Sequence, residues 1–233
     1  MFMTRSKISV IVAEFFGTAL LTSAVLAQVN SNVIVNKTWF VAAIAGLTLT
    51  TIVLTIGRVS GAHVNPAITI GLWTLRKIET TTAIVYIAAQ LLGAAVALRL
   101  FQYLQNDVLQ NIAGPFEWRI FVAEAVGALV FSFGVAAAVT QKLQGLRAAF
   151  AIGTSLMLGA IIASTASNGI LNPAVALGLN SWSLTYLAAP ILGAVLGMNL
   201  YDLFLAPESE LKAQSKAMEP APAKKVAKSK KKK

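Results

Sequence analysis

Six predominantly apolar stretches, each near the ~20 residues that a helix needs to cross a bilayer core, lie at 9–28, 39–57, 82–103, 119–139, 146–163 and 184–205. Two further apolar pieces, 66–75 and 173–181, are too short to cross. Each begins at an Asn-Pro pair, and proline suits the first turn of a helix because the N–H it lacks would have no intrahelical partner there. They are expected to be re-entrant half-helices, which survive at membrane depth only where protein or a water-filled cavity surrounds their ends. The predicted fold class is an all-α membrane protein with six transmembrane helices plus two re-entrant half-helices.

The landmarks repeat in one order. Val12-Ala13-Glu14-Phe15-Phe16-Gly17 returns 110 residues later as Val122-Ala123-Glu124-Ala125-Val126-Gly127. Gly61-Ala62-His63-Val64-Asn65-Pro66-Ala67 has its counterpart in Gly169-Ile170-Leu171-Asn172-Pro173-Ala174, with the two Asn 107 apart. The run from Tyr86 to Ala94 returns 100 residues later as Tyr186 to Ala194. Self-similarity of this kind marks duplicated architecture. Three spans per copy is an odd number, so the second copy enters the membrane from the opposite side. An inverted repeat follows, with a pseudo-two-fold axis in the membrane plane. The expected divisions are an N-terminal segment over 1–8, a membrane domain over 9–206 built from repeats at about 9–105 and 118–206, and a tail over 207–233.

Composition supports the membrane reading. The chain is 57% hydrophobic and 12% charged, against about 45–50% and about 25% in soluble domains. A net charge of +10 would point to nucleic acid if it were spread over a surface. Nine Lys and three Glu within 207–233 instead supply +6 of it. That tail has too little apolar content to fold; it either hovers at an anionic leaflet or is solvated without a role. No nucleic-acid partner is expected. With no Cys and one His, disulfides, thiolate metal sites and His-rich centres are excluded, and no cofactor is expected. The first apolar stretch is long enough to span and carries no clean cleavage pattern, so a removable leader is not expected. Arg5, Lys7, Arg58, Arg76, Lys77, Lys142 and Arg147 fall on the side of the termini, against Lys37, Arg99 and Arg119 on the other. This bias puts both termini in the cytoplasm, in a plasma or cell membrane.

Chemistry concentrates at the two triplets, Asn65-Pro66-Ala67 and Asn172-Pro173-Ala174. A helix N-terminus carries unpaired N–H groups and about half a positive charge. Two such ends together at mid-membrane repel cations, hydronium included. Each Asn caps its half-helix and can aim its amide NH2 at a passing water, which then accepts from both and cannot relay a proton.

On these residues the chain resembles the aquaporin, or major intrinsic protein, family. The resemblance runs from about Ala13 to Tyr201. It includes Ala-Glu-Phe-x-Gly-Thr at 13–18, Ser-Gly-Ala-His-x-Asn-Pro-Ala at 60–67, Gln90-x-x-Gly93-Ala94 and the second triplet. It implies an aquaporin-like inverted repeat, a homotetramer, and an outer selectivity filter that falls here on Ala45, Ala160, Gly169 and Val175. Water-selective relatives place a bulky aromatic and a His at the first two of these positions and an Arg at the last. This chain has small apolar residues at all four, so a wide, apolar constriction is expected. Arg99, near the outer end of the third span, is a candidate to refill it, although snorkelling fits its place near a helix end. Intramembrane acids often mark function, but the resemblance makes Glu14 and Glu124 supports for the re-entrant loops. It likewise makes His63 a loop-packing residue, with pH gating as the alternative. Gly93-Ala94 and Gly193-Ala194 are expected at close helix contacts.

Three functions stay open: a passive channel for water that also admits small neutral solutes, a facilitator for glycerol, urea or ammonia, and a closed-pore scaffold or adhesion protein. No Ser-His-Asp set, carboxylate pair, metal cluster or phosphate loop supports an enzyme.

Overall fold

The computed structural model describes residues 5–29, 37–111 and 114–207. Residues 1–4 of the N-terminal segment and the Lys-rich tail from 208 onward lie outside them. Among the described residues there is no strand. The elements are α1 (Arg5–Val29), α2 (Lys37–Ser60), α3 (Pro66–Thr74), α4 (Thr80–Gln105), α5 (Trp118–Thr140), α6 (Gly145–Ala163), α7 (Pro173–Gly178) and α8 (Leu184–Leu205). Six of them are long and apolar enough to cross a membrane; α3 and α7 are not. Each crossing helix turns large apolar side chains outward, among them Phe16, Leu92 and Trp118. Lipid is the solvent on that face, so these residues have no reason to hide. The chain is an integral multi-pass membrane protein.

Hydrophobicity does not drive helices together in lipid, so close packing must do so, and small residues permit it. Gly46 on α2 and Gly153 on α6 are 107 apart and meet each other: a Cβ on Gly46 would stand 2.6 Å from the Gly153 carbonyl oxygen. Gly93 on α4 packs on the Phe15 carbonyl of α1, and its counterpart Gly193 on α8 packs on the Ala125 carbonyl of α5. Those small pairs serve packing, as expected. Each half-helix docks on the last span of the other half, α3 on α8 and α7 on α4. A Cβ on Gly71 would lie 3.2 Å from Ala194 O, and one on Gly178 would lie 3.2 Å from Ala94 O. The two repeats therefore interlock, and neither half-helix is buried without the opposite half.

The end of the second half-helix differs from expectation. The second half-helix was expected over 173–181 but stops at Gly178. Asn180 takes a left-handed conformation (φ 52°), its N–H donates to Leu177 O, and the Ser181 N–H donates to Ala176 O. This is a Schellman closure, for which Asn is one of the few suitable side-chain-bearing residues. The Asn180 amide also donates to Leu109 O at 2.8 Å, tying the α7 end to the α4–α5 connection. The first half-helix runs on to Thr74 and closes the same way at Arg76 (φ 56°).

Candidate functional site

The chain that enters each half-helix is shaped by one buried carboxyl group. Glu14 accepts from Ser60 Oγ at 2.6 Å, His63 N at 3.0 Å, Val64 N at 2.7 Å and Gln90 Nε2 at 2.8 Å. Glu124 accepts from Ser167 Oγ at 2.7 Å, Ile170 N at 3.0 Å and Leu171 N at 2.8 Å. Every partner is a donor, and both Glu are 0% exposed. Unpaired, these backbone N–H groups would each cost about 1–3 kcal/mol. The two serines close the pattern, since Ser60 Oγ accepts from Ala62 N and Ser167 Oγ accepts from Gly169 N. These serines stand 107 apart like the two Asn. That shift was visible in the sequence, but their role as props for the loops was not read from it.

The bonds hold an unusual backbone. Val64 (φ 42°) and Leu171 (φ 54°) both lie in the left-handed region, which costs a bulky residue roughly 1–3 kcal/mol. With its N–H turned to a Glu, each residue turns its carbonyl across the midplane. Asn172 Nδ2 donates to Val64 O and Asn65 Nδ2 donates to Leu171 O, both at 2.9 Å. Each Asn also caps its own helix: Asn65 Oδ1 accepts from Ala67 N at 2.8 Å, and Asn172 Oδ1 accepts from Ala174 N at 3.0 Å and Val175 N at 3.4 Å. Pro66 and Pro173 occupy the first helical turn, and Ala67 and Ala174 are fully buried behind them. A side-chain amide has two hydrogens; one of each is used across the midplane and the other remains for a molecule beside it.

Such a molecule has room. A cavity of about 210 Å³ runs past both Asn, and its wall includes Ala45, Ala160, Gly169 and Val175. It touches Thr38 and His63, which flank opposite ends of the 24-residue α2, so it follows most of a crossing helix. Among the described residues, no Lys, Arg, Asp or Glu lines it. Gly169 (φ 63°) lies against the Ala160 carbonyl so closely that a Cβ there would come within 2.6 Å of it. Arg99 does not refill the wall: it is exposed, with Nη1 3.3 Å from Gln102 Oε1.

His63 does two things at once. Its Nδ1 lies 3.2 Å from Thr69 Oγ1, its ring meets Tyr86 edge-on at 5.1 Å, and it lines the cavity. Gln90 extends this network by donating to Thr69 Oγ1 at 3.0 Å. In the second half the corresponding positions are Ile170, Ala176 and Pro190, so the His63–Thr69–Gln90 network has no counterpart there.

Two half-helices joined tip to tip beside a cavity that follows the crossing direction define a channel-type membrane protein. The fold matches that of the aquaglyceroporin from Plasmodium falciparum in its X-ray structure, with a TM-score of 0.74 and 22% identity over 88% of this chain and 99% of that one. The profile of the Major intrinsic protein family matches residues 1–201, and the chain belongs to that family. It is 32% identical to Aquaporin-1 of Rattus norvegicus over 181 residues, covering 70% of this chain and 66% of the rat protein. It is 30% identical to Nodulin-26 of Glycine max over 227 residues, covering 89% and 82%. With Aquaporin Z of Photorhabdus laumondii the identity is 30% over 185 residues, covering 69% and 80%. The family consists of membrane channels for water or small solutes, not of enzymes.

Proposed function

We propose that the chain is a passive channel for water and other small neutral solutes, with the cavity beside Asn65 and Asn172 as the path. The observation that carries this reading is the shared wall: both Asn and all four outer positions line one cavity with no charged side chain among the described residues. The short helices present their N–H ends toward that path. Their partial positive charge disfavours cations, and the free amide hydrogens orient a water so that it accepts from both sides.

A second reading, a facilitator for glycerol, urea or ammonia, is favoured by the outer filter. Ala45, Ala160, Gly169 and Val175 leave that ring wide and remove the fixed cation. Assembly as a homotetramer, cytoplasmic termini and a plasma-membrane location belong to the same proposal. The basic residues crowded on the terminal side support the orientation.

Stopped-flow light scattering on proteoliposomes tests it, first with an impermeant osmolyte and then with glycerol or urea. Rapid water flux with slow solute uptake supports the water channel. Rapid solute uptake supports the facilitator. Vesicles no faster than protein-free ones would reject both and leave the scaffold.

A further inference from the structure

A second cavity, of about 530 Å³, lies where α2 and α5 end and α6 begins, on the side of the chain's termini. The 107 shift carries Val41, Ala45, Ala160 and Asn168 of the first cavity onto Ala148, Ile152, Val53 and Gly61, all of which line the second. It is therefore the other half's image of the vestibule at the outer ring. The positions correspond, but the charges do not. Arg58 and Lys142 line this second vestibule, and among the described residues no Asp or Glu does. The residue 107 places after Arg58 is Thr165, which is uncharged.

The two cations come from different halves, and the backbone fixes where each stands. Arg58 is in the last turn of α2. Lys142 is in the short connection 141–144 between α5 and α6. It takes φ 53°, its N–H donates to Val139 O, and the Leu143 N–H donates to Ala138 O. That pattern closes α5 as a Schellman motif. Gln141 Nε2 donates to Tyr201 Oη at 2.8 Å and fastens the connection to α8. Both cations are exposed, so water and solutes on that side reach them. A Cβ on Gly145, another lining residue, would meet no atom of the described residues within 4 Å, so the recess is open there. Each cation also complements the negative end of its helix. Any face of the helix end would serve that purpose, whereas lining one recess is a further condition that both meet. Like charges gathered around a recess repel each other, and a bound anion offsets that repulsion.

We propose that this vestibule binds a phosphate-bearing anion between Arg58 and Lys142, and that the bound anion obstructs the passage. The obstruction rests on the channel reading above; the binding site does not. A guanidinium meets phosphate oxygens with paired N–H donors, and an ammonium meets them as a point charge. A phosphate monoester carries about −1.5 to −2 at pH 7, which suits two cations. Val53 and Ile152, the counterparts of Ala160 and Ala45, give the recess an apolar side. A charged group is costly to move past them without a partner, so the anion stays at the mouth instead of crossing.

Calorimetric titration of the full-length protein in detergent with inorganic pyrophosphate tests the site. Stopped-flow water permeability of proteoliposomes with pyrophosphate on both faces tests the obstruction. Wild type is compared with Arg58→Gln, Lys142→Gln, Arg58→Lys and Arg76→Gln, the last changing a basic residue that lines a different cavity. Each is checked for wild-type elution, and the two Gln variants of the site give independent readings. The Lys-rich tail is present in all of them, so only differences between them read the site. Wild type and Arg76→Gln are expected to bind alike. Arg58→Gln and Lys142→Gln are expected to bind roughly tenfold more weakly, as the loss of one hydrogen bond to a charged group implies, with Arg58→Lys in between. Pyrophosphate is expected to slow water flux in wild type and Arg76→Gln more than in the two Gln variants of the site. Equal binding by all five proteins would overturn the site. Binding that differs as expected, with flux in conducting vesicles indifferent to pyrophosphate, would overturn the obstruction. Wild-type vesicles no faster than protein-free ones would overturn the channel reading, and the titration would still decide the site. Vesicles containing phosphatidic acid, without pyrophosphate, separate the sources of phosphate. Slowing by that lipid that Arg58→Gln relieves assigns the phosphate to a lipid headgroup, and its absence assigns it to a soluble anion.

Discussion

Asn65 and Asn172 each donate to the carbonyl that immediately precedes the other, Leu171 O and Val64 O, both at 2.9 Å. The two half-helices are thus bolted together by the same side chains that cap them. Asn172→Ala removes a cap worth about 1 kcal/mol and leaves the Val64 carbonyl without its donor, a further loss of about 1–3 kcal/mol. The expected result is a lower unfolding temperature in detergent, followed by Trp fluorescence, together with reduced water flux per channel. An unchanged unfolding temperature would mean that the cross-midplane bond carries no stability.

The two buried carboxyls differ in their partners. Glu14 gathers four donors, one of them from Gln90, and Glu124 gathers three. Glu14→Gln brings an NH2 group against donors and is expected to lower thermal stability more than Glu124→Gln does. Proton permeability, followed with an enclosed pH dye, is expected to stay at the wild-type level in both. If Glu14→Gln spared stability and abolished a proton flux, the residue would be a relay rather than a prop.

The contact between α2 and α6 tolerates nothing larger than hydrogen at its centre. A Cβ on Gly153 would stand 2.5 Å from the Gly46 carbonyl oxygen and would fall on Thr50 Oγ1. Overpacking of this kind costs about 1–3 kcal/mol and sometimes more, so Gly153→Val is expected to give little monodisperse protein. Gly114→Ala meets no atom of the described residues within 4 Å and serves as the control. Size-exclusion chromatography after extraction decides the matter.

Much of this architecture was readable from the chain. The spans expected at 82–103 and 119–139 appear as Thr80–Gln105 and Trp118–Thr140, because hydropathy over ~20 residues is a strong signal. The two half-helices were readable because Asn-Pro marks a cap followed by a first turn. The apolar residues that line the cavity, among them Leu21, Leu49, Phe131 and Leu156, were not. Their helices are apolar all round, so no periodicity says which face turns inward. The cross-midplane bonds were hidden for another reason: they join residues 106 and 108 apart through backbone turned by positive φ at Val64 and Leu171, which no local pattern signals at β-branched or bulky residues.

The outer ring yields its own prediction. Val175 is 3% exposed and lines the cavity with Ala45, Ala160 and Gly169. Val175→Arg adds bulk, a fixed cation and a strong donor at this point. Glycerol or urea uptake is expected to fall more than water flux in stopped-flow experiments. Equal reductions in both would indicate general misfolding, and no change in solute uptake would place Val175 outside the conducting path.

A thiol introduced into the passage gives the sharpest single test. The chain has no Cys, so mercury is expected to leave wild-type water flux unchanged. Val175→Cys changes the wall by little in volume and is expected to conduct until mercury blocks it, with recovery on adding excess thiol. Stopped-flow water permeability of Val175→Cys proteoliposomes before and after mercury therefore reads the path directly: reversible block puts the flow past Val175 and the Asn pair. Conduction that persists after the thiol has been fully modified would contradict it.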